Sequence, residues 1–145
     1  MIRKRRITKH FPLVFTITIL LVFSKIIQAQ VMDTIRTTPQ PLAISFNLNS
    51  PAYQDLVVGP PTTLCMYSGL VTIKPGETVG HHNTENYEEM LVILSGEGEM
   101  LFEKGLTIKL KYGMVAYCPP HTEHDVKNNG TLPLKYIYVA SKTYK

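Results

Sequence analysis

"HHNTENYEEMLVILSG", residues 81–96, decides how the rest of the chain is read. A polar stretch holding His81, His82, Glu88 and Glu89 runs straight into the apolar run Met90–Leu94 and stops at Ser95-Gly96. Imidazole and carboxylate side chains are donors for divalent metals, so one reading is a metal site at the mouth of a strand. The other is a solvated polar loop. If the segment is extended, residues 82 and 84 share one face and residues 81 and 83 the other. His82 is then expected to look inward and His81 outward. Glu88 and Glu89, being adjacent, take opposite faces of a strand, so one of them can face inward.

Outward from this stretch the signals are all β. Residues 42–48 ("LAISFNL") and 63–73 ("TLCMYSGLVTI") are rich in apolar, β-branched and aromatic residues and predict strands. In residues 96–113, Leu106, Ile108 and Leu110 alternate with Thr107, Lys109 and Lys111. That period of two gives one buried and one wet face. Glu103-Lys104-Gly105 predicts the turn between this strand and "GEGEMLF", and residues 114–118 and 134–140 complete the set. Turn residues recur at Pro60-Pro61, Pro75-Gly76, Gly96, Pro119-Pro120 and Asn129-Gly130. Short strands at this spacing predict an antiparallel sandwich or barrel. The tyrosines of residues 134–140, and Tyr117, have two readings, lining a cavity or filling the core, and are assigned to the core.

The first thirty residues read differently. A basic head (residues 1–10), an apolar run (11–24) and "KIIQAQ" (25–30) have the order of a secretory signal peptide, with Ala29 the last residue removed. The alternative is an uncleaved N-terminal anchor, though the apolar run is shorter than the roughly 20 residues that span a bilayer. The expected organisation is a signal peptide over 1–29, a flexible polar arm over 30–41 and one β domain over 42–145. The location expected from it is periplasmic or secreted, with no membrane attachment once the leader is gone. Six of the fifteen Lys and Arg lie in the leader and none of the eleven acids does, so the remainder carries nine basic against eleven acidic side chains. No basic stripe is left to support nucleic-acid binding. Cys65 and Cys118 are the only cysteines. An oxidising compartment permits a disulfide between them, and their apolar surroundings equally suit two buried thiols.

Two spaced blocks stand inside the β region. The first is Gly76, five residues, His82, one residue, Thr84, four residues, Glu89, six residues, Gly96. The second is Gly113, five residues, Pro119, Pro120, His121, two residues, His124, three residues, Asn128. Together they resemble the two motifs of the cupin superfamily, G-(x)5-H-x-H-(x)3,4-E-(x)6-G and G-(x)5-P-x-G-(x)2-H-(x)3-N. The chain departs twice: Thr84 replaces the second histidine of the first motif, and His121 replaces the glycine of the second. The resemblance implies an all-β fold, the double-stranded β-helix or jelly-roll barrel. It implies a divalent metal (iron, manganese, nickel or zinc) held by His82, Glu89 and His124, and a homodimer.

Two imidazoles and one carboxylate suit such metals and leave positions open for water or a small-molecule substrate. The competing reading is a polar cluster around water with no metal. His121 is expected in an exposed loop, and Asp125 on the outward face beside His124. The function expected is that of an exported cupin binding a divalent metal, a small-molecule metalloenzyme of dioxygenase or isomerase type. The alternative is a non-catalytic module that captures a small ligand or a metal. No general base stands out, so the residues assign no reaction.

Overall fold

The computed structural model describes residues 24–28, 38–51 and 53–143. The chain divides into two units, Met1–Thr38 and Pro39–Lys145. In the first, residues 24–28 are helical. The expected leader and cleavage site (residues 1–23 and 29) and most of the arm (30–37) lie outside the described residues. Among the described residues, no helix is long and apolar enough to cross a membrane.

Among the described residues, the second unit has nine strands: β1 Gln54–Val58, β2 Met66–Ile73, β3 His82–Asn83, β4 Tyr87–Ser95, β5 Glu97–Phe102, β6 Thr107–Lys111, β7 Val115–Cys118, β8 Glu123–Lys127 and β9 Leu134–Lys142. They pair into a five-stranded sheet, order β1-β2-β9-β4-β7, and a four-stranded sheet, order β3-β8-β5-β6. Every strand pairing within both sheets is antiparallel. This is the double-stranded β-helix.

Alternation along the strands sets what faces inward. On β4, Leu91 and Ile93 are buried while Glu88 and Met90 are exposed, so Glu89 shares the inward face. On β8, His124 and Val126 are buried between the less buried Glu123, Asp125 and Lys127. Leu91, Ile93, Met100, Leu110, Val126 and Leu134 fill the space between the sheets with almost no exposure. Each such side chain contributes about 1.5–3 kcal/mol relative to an exposed one. Gly96 turns β4 into β5 with φ of +76°, and a Cβ there would lie 2.5 Å from the Pro133 carbonyl oxygen. Glycine is the residue that meets both demands.

Two expectations need correction. Residues 42–48 form no strand; their side chains are exposed, and the segment is tied back by Asn47 N–H to Gln54 Oε1 (3.0 Å) and Gln54 Nε2 to the Asn47 carbonyl (2.7 Å). Alternating apolar residues there met no partner backbone, and a strand exists only where a ladder forms. Leu106 stands before β6 at 60 % exposure, so only Ile108 and Leu110 of the predicted apolar face turn inward. The turn at Glu103–Gly105 forms as expected, with Lys104 and Gly105 at positive φ.

Candidate metal centre

Three strands bring the three predicted donors together. His82 on β3 is the register partner of His124 on β8, and Glu89 reaches across from β4 in the other sheet, where it faces Cys118 and Ala140. One ligand atom from each of His82, Glu89 and His124 lies within 4.8 Å of the others. The imidazole rings stand 4.3 Å apart between centroids. His124 is 1 % exposed, the Glu89 side chain 15 %, and His82 opens to the cavity mouth.

The hydrogen bonds orient the rings. His82 Nδ1 lies 2.8 Å from the Gly80 carbonyl, which only accepts. Nδ1 therefore carries the proton, and Nε2 keeps its lone pair. Gly80 is itself held: its N–H donates to Asp125 Oδ1 at 2.9 Å, and the Thr78 hydroxyl donates to the same carboxylate. Asp125 is thus turned away from the donors, as expected, and yet, with the Thr78 hydroxyl that also accepts the Gly80 N–H at 2.9 Å, it holds the glycine whose carbonyl orients His82. Sequence reasoning reached no such role, because the link runs through the backbone of a glycine forty-five residues away.

His124 is the most buried of the three donors. Its Nδ1 faces the Thr122 carbonyl at 3.4 Å and Cys118 Sγ at 3.5 Å, and its Nε2 faces Glu89 Oε2 at 3.1 Å. The Cys118 thiol and the imidazole can each donate or accept here, so Nε2 either donates to Glu89 or, without its proton, shares an ion with it. Two donors bound at about 2.1 Å and at right angles on one ion lie about 3.0 Å apart. The observed separation fits that edge, so these residues suit a divalent metal.

Thr84 sits at the position of the missing histidine, buried, and points to the same cavity. Its hydroxyl donates to the Pro119 carbonyl (2.8 Å) and accepts from Thr122 N–H (2.9 Å). It clamps the loop that carries His124. His121 is exposed and takes φ of +56°, the left-handed conformation natural to the glycine it replaces. His81 is on the surface, with Nε2 3.3 Å from Glu123 Oε2. Glu88 is outward and accepts from the Tyr117 hydroxyl at 3.2 Å. Asn128, the last residue of the second motif, is fully buried and donates to the Ile73 and Leu132 carbonyls, a structural clamp.

Cys65 and Cys118 are both free thiols. Burial, reinforced by the charge of Glu89, pushes the Cys118 thiol up to about 11. Among the tyrosines assigned to the core, Tyr136 is buried there and also borders the cavity, Tyr138 lines the cavity, and Tyr117 lies outside at 53 % exposure. The cavity beside the donors has a volume of about 490 Å³, within the roughly 300–1,000 Å³ of small-molecule sites.

Fold and donor set together resemble those of cupins. Residues 69–140 match the family model described as Cupin domain. The chain is 31 % identical over 67 residues to an oxalate-binding protein of Thermotoga maritima, covering 46 % of this chain and 54 % of that protein. It is 34 % identical over 79 residues to the mannose-1-phosphate guanylyltransferase RfbM of Salmonella typhimurium, covering 51 % of this chain but 15 % of that protein. The chain therefore spans at most about half the length of these relatives. Among solved structures it resembles an RmlC-like cupin family protein with a double-stranded β-helix fold from Methanocaldococcus jannaschii, with a TM-score of 0.60, 18 % identity, and 70 % of this chain and 91 % of that one covered. At that identity the likeness speaks for the fold.

Proposed function

We propose that this chain is a cupin that holds a divalent metal on His82, Glu89 and His124 and handles a small molecule in the adjoining cavity, as an enzyme of oxygenase or isomerase type. The observation that carries the proposal is the convergence of two imidazoles and one carboxylate within 4.8 Å at the wall of a cavity of about 490 Å³. Three protein donors leave coordination positions for the small molecule, and a bound ion would polarise an oxygen placed there. The chain's own contribution is orientation: Gly80 and Asp125 fix His82, and Thr84 fixes the loop before His124. The name of the oxalate-binding relative favours a second reading, capture of a small ligand without turnover.

The leader pattern supports export of the domain to the periplasm or the medium. The homodimer implied by the family resemblance would find an apolar surface at Met90, Val115 and Tyr117, adjacent and exposed on the outer side of the five-stranded sheet. The decisive experiment is elemental analysis of protein purified without a metal-binding tag. Near-stoichiometric iron, manganese, nickel or zinc that is lost in His82→Ala and in His124→Ala supports the metal site. Metal content unchanged by both substitutions refutes it. Turnover of a bound small molecule then separates the enzyme from the binder.

A further inference from the structure

The cavity wall is distinctive in its charge. Among the described residues that line it, none is Lys or Arg, while Glu77 and Glu89 are both present. Val71, Ile73, Val79, Val126 and Ala140 supply most of the remaining contact surface, together with the rings of Tyr136 and Tyr138. With a divalent ion, Glu89 leaves the centre at one net positive charge. A dianion would drive it one unit negative, and an unpaired charge away from water is costly. Nothing on this wall offsets that charge.

The hydroxyl groups have a direction as well. Tyr53 Oη donates to Asp55 Oδ1 at 2.8 Å and lies 2.7 Å from Tyr138 Oη. A phenol has one proton to give. Since Tyr53 gives its proton to Asp55, Tyr138 donates to Tyr53, and what Tyr138 has left is lone pairs. The rings are stacked, 18° apart in plane with centroids at 6.3 Å. Gly69 makes room for them, because a Cβ there would lie 2.8 Å from both the Tyr138 ring and Tyr53 Oη. Burial and these hydrogen bonds raise the Tyr53 hydroxyl above the ordinary phenol range, which keeps its proton in place. On the inward face of β9, Tyr138 precedes Ala140, the register partner of Glu89, by a same-face Cα step of roughly 7 Å. The cavity of about 490 Å³ that Tyr138, Ala140 and Glu89 all line has room for a ring-sized molecule.

We propose that the cavity selects an uncharged, ring-sized molecule of the phenol class, with a hydroxyl donating to Tyr138, and disfavours dicarboxylates and phosphate esters. This deepens the small-molecule reading and rests on it. It also sets the chain apart from relatives whose names carry oxalate and a sugar phosphate, both anions.

The test is calorimetric titration of full-length protein, zinc-loaded and metal-free, with 4-ethylphenol, its methyl ether 4-ethylanisole, and oxalate. The phenol is expected to bind about fivefold more tightly than the ether, the worth of one hydrogen bond. Tyr138→Phe should remove that preference while leaving the ether's affinity unchanged. Oxalate should bind more weakly than the phenol in both forms, and Val79→Arg, at the partly exposed rim, should tighten oxalate at least tenfold. Tighter binding of oxalate than of phenol to the zinc-loaded wild type overturns the proposal and leaves the metal site standing. So does a phenol preference that survives Tyr138→Phe. If zinc fails to bind but the Tyr138-dependent preference holds, the metal site falls and the selectivity stands.

Discussion

Replacing Asp125 tests how the metal centre is held in shape without touching a donor. Its carboxylate accepts the Gly80 N–H at 2.9 Å, and the Gly80 carbonyl accepts the His82 Nδ1–H at 2.8 Å. Gly80 has φ of +103°, and nothing lies within 4 Å of where its Cβ would be. Side-chain packing therefore does not fix this glycine; its N–H is held at 2.9 Å by Asp125 Oδ1 and at 2.9 Å by the Thr78 hydroxyl, which itself leans on the Asp125 carboxylate. Loss of a partner directly on a ligating imidazole costs 10–100-fold in metal affinity. Here the restraint passes through the Gly80 Cα from one peptide unit to the next, which puts Asp125→Ala at the lower end, about tenfold or 1.4 kcal/mol. Asp125→Asn keeps an oxygen acceptor for the Gly80 N–H and should lose no more than about threefold. His82→Ala, which removes a donor outright, should lose more than about a hundredfold. Competition with a chromogenic chelator for zinc measures all four proteins, and urea midpoints report their folding. If Asp125→Ala binds zinc like the wild type while His82→Ala is weakened, the relay through Gly80 is wrong.

Thr84→Val keeps the volume but strips the Pro119 carbonyl and the Thr122 N–H of their buried partner, so unfolding in urea should show a loss of about 2 kcal/mol; a loss below about 0.5 kcal/mol refutes the clamp. Cys118 gives a pH dependence with a definite sign. Its thiol is raised from 9.0 to about 11 in the folded state, so between those values the unfolded chain releases a proton that the native state keeps, and stability falls as pH rises. Urea titrations at pH 8.5 and 10.5 should show the wild type losing more stability than Cys118→Ala over that interval, and equal losses would contradict the shift. Cys118 is fully buried and Cys65 only half-buried, so a thiol reagent should label Cys65 in the native protein and reach Cys118 only on unfolding.

Much of this protein is local in origin and was legible in the chain. Two-residue alternation and turn-forming residues define strands because side chains of an extended backbone alternate sides. The spacing from Gly76 to Gly96 and from Gly113 to Asn128 carried the fold and singled out His82, Glu89 and His124. Sequence alone also separated His81 from His82 and Glu88 from Glu89, since adjacent residues on a strand cannot face the same way.

The rest depended on pairing across distance. Alternation in residues 42–48 says which side would be buried but not whether a neighbouring backbone will accept the strand, and none did. Convergence of the donors required the His82–His124 register and the approach of β4 from the opposite sheet. The Tyr53–Tyr138 pair joins hydroxyls eighty-five residues apart, and its direction is set by Asp55. Hydrogen-bond partners and cavity walls arise where separate segments meet, so only the tertiary structure decided them.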